Sequence, residues 1–146
     1  MSIDTQTPRA SVNYLKLALL MIGCLLISAC VQPRPQPPAA DVGPVEPTDG
    51  QTVSLKVDQT LLLKFGENPS TGFLWQAPGY DKQILQLVSQ PYIGDPQDDD
   101  EVGVGGTRYF QFKALKSGQT NIKMVNQRST TPPDILKELQ ITIKVE

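Results

Sequence analysis

The side chains best suited to chemistry are scarce, and the absences decide first. The 146-residue chain carries no histidine, two cysteines, and 15 carboxylates against 13 basic groups. Without imidazole there is no Ser-His or Cys-His nucleophile pair, no His-ligated zinc and no histidine acid–base chemistry. Two cysteines are too few for a four-thiolate zinc site and allow at most one disulfide. A formal net charge of −2 argues against nucleic acid, which needs a basic stripe. Enzymes of the common hydrolytic kinds are poor candidates, and no cofactor, metal or nucleic-acid partner is expected.

What stands out instead is three loops. The first, Gly66-Glu67-Asn68-Pro69-Ser70-Thr71-Gly72, combines a proline that fixes one backbone angle with a glycine that permits a positive one. Its Asn, Ser and Thr side chains can bond their own backbone, so the loop is stiff and exposes main chain. Proline in the middle of Asn-Pro-Ser rules out glycosylation. The second runs from Tyr92 to Thr107 and places Asp95, Asp98, Asp99, Asp100 and Glu101 before Gly103-Val104-Gly105-Gly106. Consecutive carboxylates lack the alternate spacing of a calcium loop and read as a solvated run. The glycines lack a phosphate-loop lysine and read as backbone able to lie close to another surface. The third, Asn126 to Ile135, carries Arg128, a planar five-donor group, and two prolines, Pro132 and Pro133.

The elements that must position these loops show a period of two. Val53, Leu55 and Val57 alternate with polar partners; Leu61, Leu63 and Phe65 keep the same spacing, although Leu62 between them is apolar too, and Phe73 and Trp75, then Leu85 and Leu87, follow. Phe110, Phe112 and Ala114 form another run, Ile122 and Met124 the next, and Leu139, Ile141, Ile143 and Val145 the last. Turn residues bound each run, at Val57-Asp58-Gln59, Ala77-Pro78-Gly79 and Lys116-Ser117-Gly118. About seven strands with turns every ~8–12 residues predict an all-β, Ig-like antiparallel β-sandwich with Trp75 in its core. In an Ig-like order the first and third loops share one end, and the second must fold alongside them to complete a binding edge.

The length suits one domain, preceded here by a leader and a linker. Leu17 to Ser28 is an apolar stretch behind Arg9 and Lys16, fitting a signal peptide and too short to span a bilayer. Its end, Ile27-Ser28-Ala29-Cys30, resembles a bacterial lipobox. That resemblance implies a signal peptide over 1–29 and a diacylated Cys30 anchored in the cell envelope. Val31, standing where an aspartate would favour inner-membrane retention, leans towards the outer membrane. Cys24 would leave with the leader, so no disulfide would remain. Removal of the leader takes two of 13 basic groups and one of 15 acidic ones, for a net of −3. Residues 30–49 hold six of the 13 prolines and read as a linker, reaching up to ~60 Å in polyproline II. The globular domain is expected over 50–146.

Asn68-Pro69-Ser70-Thr71-Gly72-Phe73-Leu74-Trp75 is similar to the Asn-Pro-Thr-Thr-Gly-aromatic-x-Trp motif of chagasin-like inhibitors of papain-family cysteine peptidases. Gly103-Val104-Gly105-Gly106, with Phe110-x-Phe112-x-Ala114-Leu115 after it, resembles their second motif. The third motif departs: the family usually has Arg-Pro-Trp, whereas Arg128 is followed by Ser129 and Thr130. The resemblance implies an Ig-like sandwich, a monomer that reversibly occludes a papain-like cleft with three loops. Asn68 to Phe73, with Thr71 foremost, would approach the catalytic cysteine by backbone. Gly103 to Gly106 would pack on one side of the cleft and Arg128 on the other. Without the tryptophan, a target with a different surface there, or weaker binding to papain, is expected.

Two other functions fit the same residues. An envelope lipoprotein binding module could take a glycan or a protein ligand through these loops, with Tyr80, Tyr92 and Tyr109 as candidate sugar platforms. The long proline-rich tether also suits a structural or assembly accessory.

Overall fold

Alternation along Thr52–Leu55, the second half of Gly106–Ala114 and the end of Asp134–Val145 buries every second side chain, and the buried sets of two sheets meet face to face. The computed structural model describes residues 37–38, 40–96 and 103–146. The leader, Cys30 and the acidic residues Asp98, Asp99, Asp100 and Glu101 lie outside those residues. Nine strands occur among the described residues: β1 (Val42–Val45), β2 (Thr52–Leu55), β3 (Thr60–Glu67), β4 (Leu74–Gly79), β5 (Leu85–Ser89), β6 (Tyr92–Gly94), β7 (Gly106–Ala114), β8 (Gly118–Arg128) and β9 (Asp134–Val145). One sheet has the order β1-β3-β7-β5, with β6 pairing β7 beyond β5, and the other the order β2-β9-β8-β4.

Leu61, Leu63 and Phe65 of β3 join Phe110, Phe112 and Ala114 of β7 on one inner face. Ile122 and Met124 of β8 with Leu139, Ile141, Ile143 and Val145 of β9 form the other. Trp75 is 8% exposed and its ring lies 4.5 Å from that of Phe65, which meets Phe110 edge-on at 5.8 Å. Tyr80 packs edge-on against Phe112, so one of the candidate sugar platforms serves the core.

The fold is the expected all-β sandwich, with refinements that have local causes. Two edge pairings are parallel, β1 with β3 and β2 with β9. Ala77-Pro78-Gly79 does not turn; β4 runs through it, with an irregularity in its pairing to β8 between Gln76 and Gly79. β1 lies in the stretch expected to be linker. Asp41 fastens its start, its Oδ2 accepting from the Thr60 amide at 2.8 Å and hydroxyl at 2.9 Å, and Pro47 is buried.

Candidate functional site

The antiparallel pairing of β3 with β7 brings Glu67 opposite Gly106, and the β8–β9 hairpin brings Arg128 opposite Asp134. The first and second loops therefore leave from neighbouring strand ends. Hydrogen bonds then join all three loops into one rim.

The first loop is ordered largely by its own side chains. Pro69–Thr71 forms one 3-10 turn, entered from extended Asn68 and closed by Gly72 at φ 79°, a left-handed angle that suits glycine. Asn68 Oδ1 accepts from the Ser70 amide at 3.1 Å and hydroxyl at 2.7 Å. Thr71 Oγ1 donates to the Asn68 carbonyl at 2.7 Å and accepts from the Phe73 amide at 3.2 Å. Pro69, Ser70, Thr71 and Gly72 are exposed, and Asn68 and Phe73 half-buried.

Asn68 reaches the second loop as well, its Nδ2 donating to the Gly103 carbonyl at 2.6 Å. Gly103 takes φ 74°, and Gly105 accepts from the Asp95 amide at 3.0 Å. Gly103, Val104 and Gly105 retain exposed surface. Gly106 corrects the sequence reading: it is buried at the start of β7, not an exposed contact. A Cβ there would fall 2.6 Å from the Tyr92 hydroxyl and 2.7 Å from Gly94 Cα, so its glycine serves the packing of β6 on β7.

Arg128 ties the third side to the first loop. Its Nε donates to the Thr71 carbonyl at 3.0 Å, its Nη1 lies 3.5 Å from Asp134 Oδ2, and its guanidinium lies 4.1 Å over the Phe73 ring. Much of its bonding capacity is thus spent inside the molecule, bracing the loop whose carbonyl it holds.

Glu67 is the residue whose role sequence reasoning missed. Its side chain is fully buried, beneath the rim. Oε2 accepts from the Trp75 amide of β4 at 2.7 Å, while Oε1 accepts from Arg108 Nη2 at 2.7 Å and Nε at 3.1 Å. Trp75 Nε1 donates to the Gly66 carbonyl at 3.0 Å. One carboxylate therefore joins the two sheets where the chain crosses from β3 to β4. Arg108 also donates to the Gln90 carbonyl and lies 5.2 Å over the Tyr92 ring. A second candidate sugar platform is thus covered by a guanidinium.

Two shallow concavities flank the loop. One of about 480 Å³ lies between Pro69-Ser70 and Gly103-Val104-Gly105. The other, of about 430 Å³, is lined by Thr71, Phe73, Gly105 and Leu136 among others. Among the described residues no group of three or more carboxylates or cysteines is placed to hold a metal.

Residues 54–145 match the model of the family described as chagasin family peptidase inhibitor I42. The chain belongs to that family. The chagasin family consists of peptidase inhibitors and not of enzymes. Chagasin of Trypanosoma cruzi is 27% identical over 89 residues, 58% of this chain and 79% of chagasin. Amoebiasin-2 of Entamoeba histolytica (strain ATCC 30459 / HM-1:IMSS / ABRM) is 29% identical over 79 residues, 54% of this chain and 63% of that protein. The crystal structure of the cysteine protease inhibitor EhICP2 from Entamoeba histolytica superposes with a TM-score of 0.60 at 25% identity. The superposition covers 67% of this chain and 88% of EhICP2. The solution structure of amebosin shares the fold, with a TM-score of 0.53 at 17% identity over 67% of this chain and 90% of that one.

Proposed function

We infer that this chagasin-family protein reversibly inhibits papain-like cysteine peptidases by laying its three-loop rim across the active-site cleft. The supporting observation is the cross-bracing of Asn68–Phe73 by Gly103 on one side and Arg128 on the other. Cleavage requires a carbonyl held in line with the attacking thiolate and near its oxyanion donors. A loop locked by its own hydrogen bonds fills the groove without adopting that geometry. Rigidity also lowers the ordering cost of association. In this reading Asn68, Pro69, Ser70, Thr71, Gly72 and Phe73 approach the catalytic cysteine. Gly103, Val104 and Gly105 pack on one wall and Arg128 stands towards the other. The inhibitor acts as a monomer, held in the bacterial envelope, at the outer membrane, by lipid on Cys30.

Titration of papain with the detergent-solubilised full chain tests this. Stoichiometric, reversible loss of peptidase activity with the inhibitor intact is expected. Thr71→Arg places bulk at the exposed tip and raises Ki at least about thirtyfold, the scale of an interface hot spot. Cutting of the chain within 68–73, or full potency in Thr71→Arg, would overturn the reading. Metabolic labelling with a fatty acid, lost in Cys30→Ser, tests the anchor.

A further inference from the structure

The most exposed large apolar side chain near the rim belongs to no motif. Leu136 is 64% exposed, more than any other large hydrophobic side chain among the described residues. Its placement is set by a break in strand pairing. In the β8–β9 hairpin, Asn126 pairs with Lys137 but Gln127 pairs with Ile135. Leu136 is therefore an extra residue facing no partner, which is a β-bulge, and bulges re-aim side chains.

The register on either side of the bulge gives its direction. Asn126 is buried and opposes the core residue Trp75, so its side points inward. Gln127 points outward, where its Nε2 donates to Gln76 Oε1 at 3.2 Å, and Ile135 opposes Gln127 on that outer face. In a regular ladder the residues opposite Asn126 and Gln127 would be consecutive, with none between them. The bulge supplies one, and Leu136 lines the concavity that also includes Thr71 and Phe73. An exposed leucine of β9 thereby shares a concavity with the first loop, just past a third loop that carries no tryptophan.

We propose that Leu136 is a specificity-determining contact of the inhibitory rim, pressing with Phe73 on an apolar wall of the peptidase cleft on the Arg128 side. This rests on the inhibitory reading above and adds to it the chemistry of the partner: a papain-like peptidase whose cleft is apolar at that edge. Arg128, already bound to Thr71 and Asp134, frames the contact. Val88 of β5, 52% exposed and outside the three loops, is the apolar control.

The test compares Ki for papain among the full-length wild type, Leu136→Ser and Val88→Ser, with thermal unfolding of each. Leu136→Ser is expected to raise Ki about tenfold or more, the scale of one buried leucine, with its melting temperature unchanged. Val88→Ser is expected to stay within about threefold of wild type, under half the tenfold step in free energy. Wild-type potency in Leu136→Ser overturns the proposal, and so does an equal loss in both variants. A wild type that fails to inhibit overturns the inhibitory reading itself, and is seen before any variant is compared.

Discussion

Glu67 sits at the meeting point of two sheets with no solvent-exposed side-chain surface. Removing one member of a buried ion pair strands the other, and here also frees the Trp75 amide. Glu67→Ala should therefore lower stability by about 3 kcal/mol, measured by urea unfolding with Trp75, the sole tryptophan, as the fluorescent probe. A loss below about 1 kcal/mol, the level of an exposed pair, would show the carboxylate to be dispensable. The neighbouring Asn68–Gly72 was legible in sequence because its signals are local: a proline, a glycine and side chains that bond within three residues. Glu67 was not, because its partners are Trp75, eight residues on, and Arg108, 41 residues on. In one dimension it resembles a solvated charge beside a turn.

β7 and the second half of β9 were readable because their alternation marks one face buried against the opposite sheet, and β3 was readable from its spacing although Leu62 is buried as well. β1 was hidden by Pro44 and Pro47 and by its shortness. Its docking depends on Asp41, whose hydrogen bonds from the Thr60 amide, then the Thr60 hydroxyl, hold its carboxyl below the usual carboxylate range. A carboxylate lowered on folding adds stability that is present above its unfolded pKa and lost as pH falls through the folded value. Protection of the Val42–Val45 amides from hydrogen exchange should thus persist at neutral pH and fall away only in acid. Asp41→Asn should speed exchange of these amides at neutral pH, while β7 stays protected. Unchanged β1 exchange in the variant would show that strand pairing alone holds it. The bulge at Leu136 was equally illegible, since it exists only in the register between two strands.

At the scale of the molecule, the sandwich carries three connections on one rim and joins them by Asn68 to Gly103 and by Arg128 to Thr71. No cysteine lies within the described residues, so the core and these hydrogen bonds hold the rim in place. The all-β fold followed from periodicity. The union of the loops did not, because it depends on side chains meeting across 35 and 57 residues of chain. A rim ordered before binding should meet its enzyme as a rigid body, changing little in backbone on association.

Hydrogen-exchange mass spectrometry of the full chain, free and bound to papain with its catalytic thiol alkylated by a small reagent, tests this most directly. The expected footprint is new protection at Asn68–Phe73, Gly103–Gly105 and Arg128–Leu136, with the opposite-end turns Val57–Gln59 and Lys116–Gly118 unchanged. Protection at those opposite turns with the rim still exchanging freely would contradict it.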